Sequence, residues 1–128
     1  MSAQWIRRTK RLAIYLRDGF CCMYCGQGAE QGANLTLDHI KPASKGGTNH
    51  ETNLLTCCMR CNQSRGRRSV RMFARDLAVY IGHGISENTI LKAIRKNVGL
   101  PLEPYKKEAK LLIERRGVAA QERMKLWT

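Results

Sequence analysis

Four cysteines, Cys22, Cys25, Cys58 and Cys61, fall into two Cys-x2-Cys pairs. That spacing presents four thiolates to one ion with little backbone strain, which is the donor set of a structural zinc. A shell closed by four thiolates keeps no open position, so such a site staples the chain and performs no reaction. Residues 26–57 separate the pairs, more than an ordinary zinc ribbon needs, and they carry a second set of reactive groups. Asp38 and His39 are adjacent, Gly46-Gly47 and Asn53 follow, and Asn62 stands directly behind Cys61. An imidazole with an ordinary pKa of about 6.5 can accept a proton near neutral pH, and the neighbouring carboxylate is an anionic oxygen donor. Cys21 and Cys57 would give x3 spacings, so they are read as spare buried thiols. His50 is read as a solvent-exposed loop residue, with assistance to a metal as the alternative.

These groups need elements to hold them. Leu35 to Ile40 alternates and is rich in strand formers up to Pro42, and Thr52 to Thr56 offers a second strand. The two predict an antiparallel hairpin with a wide exposed loop at Ser44 to Asn49, followed by a helix from about Met59 to Arg67. Cys58, Asn62 and Arg65 then share one helical face, at i, i+4 and i+7. Adjacent side chains on a regular strand point to opposite faces, so Asp38 and His39 can serve one site only if the strand twists or ends there. Pro42 and the glycines supply a reason for such a break.

Trp5, Thr9, Leu12 and Leu16 predict an amphipathic helix over 4–17, with Arg7, Arg8, Lys10 and Arg11 on its solvated faces and Asp18-Gly19 at its end. After Ser69 the cysteines stop. Val70, Phe73, Leu77 and Ile81 mark one helix closed by Gly82; Ser86 caps a second through Ile90, Leu91, Ile94 and Val98; a third runs from Tyr105 to Gly117 and resumes to Trp127. The expected organisation is an α+β core with its N-terminal helix over 1–68 and a helical extension over 69–128 packed on it.

The net charge is +13, spread evenly: residues 1–68 hold 11 Lys/Arg against 4 Asp/Glu, and residues 69–128 hold 12 against 6. Such a surplus attracts polyanions, of which nucleic acid is the commonest. A membrane partner is disfavoured, because no apolar run approaches the roughly 20 residues of a span. The first 16 residues are too charged for a secretory leader, so a cytoplasmic location is expected, where clustered cysteines serve metals rather than disulfides.

Cys22-x2-Cys25, Leu37-Asp38-His39-Ile40 with Pro42, Gly46-Gly47, Asn53-Leu54 and Cys58-x2-Cys61-Asn62-x2-Arg65-Gly66 together resemble the HNH endonuclease family, over about half the chain. Arg17-Asp18-Gly19-Phe20 and Tyr24 fit the same pattern. The resemblance implies a ββα-metal (His-Me finger) core that holds one divalent ion against a scissile phosphate. By position, His39 is the general base, Asn53 fixes that histidine, and Asn62 stands where the family more often has a histidine, an HNN variant. Asp38 and Asn62 are then the oxygen ligands of Mg²⁺ or Mn²⁺. Arg65, Arg67 and Arg68 flank the expected phosphate site and, with Lys45, are candidate nucleic-acid contacts.

The expected activity is hydrolysis of phosphodiester bonds in DNA, with zinc as staple and Mg²⁺ or Mn²⁺ at the reaction. One site cuts one strand, so a monomer nicks; a double-strand break needs a homodimer or two encounters. The C-terminal helices are expected to add DNA-binding surface or to meet a partner protein. Two alternatives stay open: a non-catalytic zinc-stapled DNA-binding module, and a nuclease for RNA or structured nucleic acid. Small stand-alone members of the family suggest a phage or mobile-element origin.

Overall fold

A computed structural model describes residues 6–82 and 84–127, with side chains up to Gly117. Trp5 of the predicted first helix lies outside them. The hairpin forms from β1 (Leu35–His39) and β2 (Leu54–Cys58), paired antiparallel with Asp38 opposite Leu55 and His39 opposite Leu54. The second strand begins two residues later than Thr52, because Glu51–Asn53 close a short 3-10 turn capped by His50. Every residue of β2 is buried, since the strand has a packed element on each side.

On one side lies the cysteine end of the chain. A short helix α2 (Met59–Arg65), then α3 (Val70–Ile81) and α4 (Glu87–Val98), pack Phe73, Ile90 and Ile94 against Tyr24, Leu55 and the cysteines in one apolar cluster. Burying each such side chain stabilises by roughly 1.5–3 kcal/mol, so the segment after Ser69 is part of what keeps the cysteines together. The capping residues work as their types predict, with the Ser69 and Ser86 hydroxyls accepting from the amides of Met72 and Thr89. Helix α2 stops at Arg65, short of the predicted Arg67, where Gly66 adopts a positive φ of 56°.

On the other side, α1 (Arg8–Arg17) and α5 (Glu103–Trp127) pack Ile14, Leu102 and Ala109 against Leu54. Helix α1 starts at Arg8 rather than residue 4; Ile6 is nevertheless buried in this second cluster. Helix α5 passes through Gly117 without interruption. Arg17 and Asp18, which the sequence marks as a helix end and as part of the family-like pattern but gives no structural role, are buried and bolt α1 to β2. Arg17 donates to the Leu54 carbonyl at 2.7 Å and the Glu51 carbonyl at 3.0 Å, while Asp18 accepts from its neighbour Arg17 at 2.9 Å and from the Thr56 amide at 2.9 Å. Among the described residues, no helix is long and apolar enough to cross a membrane.

Candidate metal centre and the adjoining pocket

Cys22 and Cys25 sit in the loop after α1, Cys58 ends β2, and Cys61 is on the first turn of α2. Their sulfurs lie within 4.8 Å of one another, and Cys25 Sγ is 3.8 Å from Cys58 Sγ. A tetrahedron of Zn–S bonds near 2.3 Å spaces its sulfurs by ~3.8 Å, so the donors fit a single ion of that kind. In each pair the first sulfur also accepts the amide of the second cysteine, Cys22 from Cys25 at 3.5 Å and Cys58 from Cys61 at 3.4 Å. Without a cation the four thiols cannot all ionise. The hydrogen bond from Cys61 pulls Cys22 down to about 5, and the same bond pushes Cys61 up. Burial raises Cys25 to about 11. A bound cation removes that conflict by replacing the shared protons. Among the described residues these four are the one cluster of three or more such donors that could hold a metal. Cys57 lies outside it, buried and pushed up to about 12 by desolvation; Cys21 is only half-buried, its thiol 3.2 Å from the Gly19 carbonyl, and so is not the buried spare that Cys57 is.

Asp38 leans toward this centre. Its Oδ2 accepts the Tyr24 hydroxyl at 3.0 Å and Arg65 Nη1 at 2.6 Å. Tyr24 lies inside the first cysteine pair and Arg65 one turn past Cys61, so both bonds issue from the cysteine knuckles. Burial and the Asp38 carboxylate beside it push the Tyr24 phenol well above its ordinary range, so it stays a donor. The sequence shows Tyr24 only as a family-like residue; its bond to Asp38, 14 positions away, appears only in the folded chain.

Arg65 departs from its expected role. The residue is 5% exposed, and its guanidinium also donates to the carbonyls of His39 at 2.8 Å, Ile40 at 3.1 Å and Arg68 at 2.8 Å. It clamps the end of β1 and spends four of its five N–H donors there, so its first role is to hold the strand rather than a nucleic-acid phosphate. Arg68 is tied as well, to Asp76 at 2.9 Å and to the Ser64 carbonyl, and it stacks over the Phe73 ring at 4.9 Å. Arg67 and Lys45 are exposed.

Asp38 and His39 do come to one place. A cavity of ≈ 220 Å³ at the end of β1 is lined by both, with Pro42, Arg65, Arg67 and Arg68 among its walls. The strand ends at His39, and Arg65 clamps the carbonyls of His39 and Ile40 at that end, where both Asp38 and His39 reach the cavity. Three guanidinium groups against one carboxylate make this pocket favourable for an anion. Asn62 lies over the Asp38 face of β1: its Nδ2 donates to Thr36 Oγ1 at 3.0 Å, so that bond uses the amide nitrogen and not the oxygen a ligand role requires.

Asn53 does not hold His39. Its Oδ1 accepts the Lys41 amide at 2.8 Å, and its Nδ2 donates to the carbonyls of Thr48 at 2.8 Å and Lys41 at 3.1 Å. It closes the loop between the strands. Gly47 is required in that loop, because a Cβ there would lie 1.8 Å from the Lys41 carbonyl oxygen. The imidazole of His39 is held instead by Asn49, whose Oδ1 is 2.7 Å from Nε2. No feature of Asn49 in the sequence set it apart from an ordinary loop residue. His50 is exposed and caps the turn before β2, with its Nδ1 accepting the Thr52 amide at 3.2 Å.

A family model for HNH endonucleases matches residues 22–78, which begins at the first cysteine and runs past Ser69 into α3. The CRISPR-associated endonuclease Cas9 of Corynebacterium diphtheriae is 33% identical over 98 residues, covering 73% of this chain and 9% of that protein. The chain thus spans about a tenth of the length of this relative. With a strand–strand–helix core gathered around four cysteines and the Asp-His pair at the end of its first strand, residues 22–78 of this chain belong to the HNH endonuclease family.

Proposed function

We propose that this chain is a metal-dependent endonuclease that hydrolyses phosphodiester bonds in DNA, with zinc in the four-cysteine centre. The observation that carries the reading is the cationic pocket onto which Asp38 and His39 both open. His39 takes the proton of the attacking water. Asp38 Oδ1, the oxygen not engaged by Tyr24 and Arg65, and the side-chain oxygen Oδ1 of Asn62 would hold a divalent ion; such hard neutral and anionic oxygens suit Mg²⁺ or Mn²⁺. When bound, that ion neutralises charge developing on the scissile phosphate. One carboxylate beside a guanidinium binds a cation weakly, so phosphate and water oxygens must complete its shell. Arg67, exposed at the pocket wall, and Lys45, exposed on the loop that follows β1, meet the backbone of the substrate, while Arg65 keeps Asp38 in place.

A charge of +13 supports a polyanionic substrate, and the free thiols suit a reducing cytoplasm. A single pocket of this kind acts on one strand, so the primary product is a nick. The test is supercoiled plasmid incubated with Mg²⁺ or Mn²⁺. The wild type converts it to the open circle, and His39→Ala lowers the rate by about 10²–10⁴, the range of a positioned general base. A wild type that binds the plasmid yet never relaxes it with either ion refutes the reading, and cleavage confined to structured RNA moves it to another substrate.

A further inference from the structure

We infer that Asn49 is the positioning residue for His39, and that α1 takes part in the site through Lys10. The inference rests on the reading of His39 as the base. An amide oxygen only accepts, so with Asn49 Oδ1 at 2.7 Å the ring donates from Nε2, and Nδ1 is left as the nitrogen that can take a proton. The bond fixes which face of the imidazole is basic and how the ring is turned about its χ2 axis.

The asparagine is itself held from behind. Lys10 Nζ donates to the Asn49 carbonyl at 2.5 Å and lies 3.8 Å from Glu51 Oε1. Buried Arg17, about two turns further along α1, donates to the Glu51 carbonyl at 3.0 Å. The loop that carries Asn49 is therefore gripped at 49 and 51 by one rigid helix, and that helix precedes the matched segment 22–78 altogether. Asn53 fixes the same loop by its backbone, through Lys41 and Thr48. The two asparagines divide the work: Asn53 shapes the loop, and Asn49 reaches from it to the ring.

The decisive experiment observes the hydrogen bond itself. In zinc-loaded, 15N-labelled protein, the Nε2–H of His39 gives a slowly exchanging proton signal in the wild type and in Asn49→Asp, whose carboxylate can still accept. The signal is lost in Asn49→Ala and weakened in Lys10→Met. On plasmid, Asn49→Ala lowers kcat about tenfold with KM within about twofold, the scale of one neutral hydrogen bond, and Asn49→Asp recovers most of the loss. Zinc content and circular dichroism show whether each variant is folded, and Lys10→Met carries the test if Asn49→Ala is not. A signal unchanged in Asn49→Ala, or a loss confined to KM, overturns the inference. A protected Nε2–H in a wild type that cleaves nothing would instead leave the positioning intact and overturn the endonuclease reading.

Discussion

Asp38 and His39 are neighbours in the chain, yet opposite halves of the molecule hold their side chains. Asp38 is gripped by Tyr24 and Arg65, which hang from the two cysteine pairs and the cluster of Phe73, Ile90 and Ile94. His39 is gripped by Asn49, on a loop braced by Lys10 and Arg17 of α1, which packs with α5 around Leu54. The first grip is buried: Arg65 and Asp38 are 5% and 9% exposed. The second is more open, with Lys10 and Glu51 side chains 26% and 27% exposed, although Arg17 behind it is buried. A strand forces successive side chains apart, and this fold meets that constraint by giving each its own support. The hold on the carboxylate should be strong and structural, the hold on the imidazole weaker and adjustable.

The largest effect should come from the cysteine centre, on which only the Asp38 grip depends directly. Cys58→Ser removes one ligand and also the sulfur that accepts the Cys61 amide at the start of α2. Structural zinc in small sites contributes on the order of 10 kcal/mol, comparable to the whole stability of a domain, so the variant should lose zinc and cooperative thermal unfolding together. Metal analysis and calorimetry check it. A Cys58→Ser protein that unfolds at the wild-type temperature would mean that the helices, not the ion, hold the Asp38 side together.

How far this division could be read in advance depends on the kind of contact. The cysteine pairs, the hairpin, Ser69, Ser86 and the periodic helices are local patterns, and they appear in the structure within a few residues of where the sequence puts them. The start of β2 slipped because a 3-10 turn at Glu51–Asn53 competes with strand pairing, a choice that residues 52–56 do not encode by alternation. The Asp-His pair was legible through its frame of cysteines and glycines. Its supports were not, because each bond to Asp38 or His39 spans 10 to 27 positions of sequence and depends on which face of the strand a loop crosses. Arg65 illustrates the limit: its helical spacing from Cys58 places it correctly, but only packing decides whether a guanidinium faces solvent or the backbone of β1.

Arg65 offers the next test of the buried grip. Arg65→Met keeps the volume and removes the charge, leaving the buried Asp38 carboxylate with Tyr24 alone and the carbonyls of His39, Ile40 and Arg68 without their donor. Breaking a buried pair from one side costs about 3–5 kcal/mol, because the remaining charge is uncompensated. Chemical denaturation should show a loss of that size, and Arg65→Met combined with Asp38→Asn should recover part of it, since no buried charge is then stranded. If the single variant is as stable as the wild type, Asp38 is less tightly enclosed than its 9% exposure indicates.

The smallest effect belongs to the exposed brace on the His39 side, and its sign with pH can be worked out. The Glu51 carboxyl is held below its ordinary value of 4.5, first by its own backbone amide at the start of the 3-10 turn and then by His50 and Lys10 nearby. A carboxylate whose pKa is lowered on folding stabilises the fold at pH values above 4.5, and that contribution disappears as pH falls through the lowered value. Glu51→Gln should therefore cost only a few tenths of a kcal/mol at neutral pH, once solvent screening of so open a pair is allowed for. The difference from wild type should close as the pH drops well below 4.5, and high salt should close it at pH 7 as well. Denaturant melts at neutral and acid pH measure both. A loss of several kcal/mol, or one that persists in acid, would show that the loop under His39 is anchored as firmly as the strand under Asp38. The contrast between a rigid carboxylate and an adjustable imidazole would then be gone.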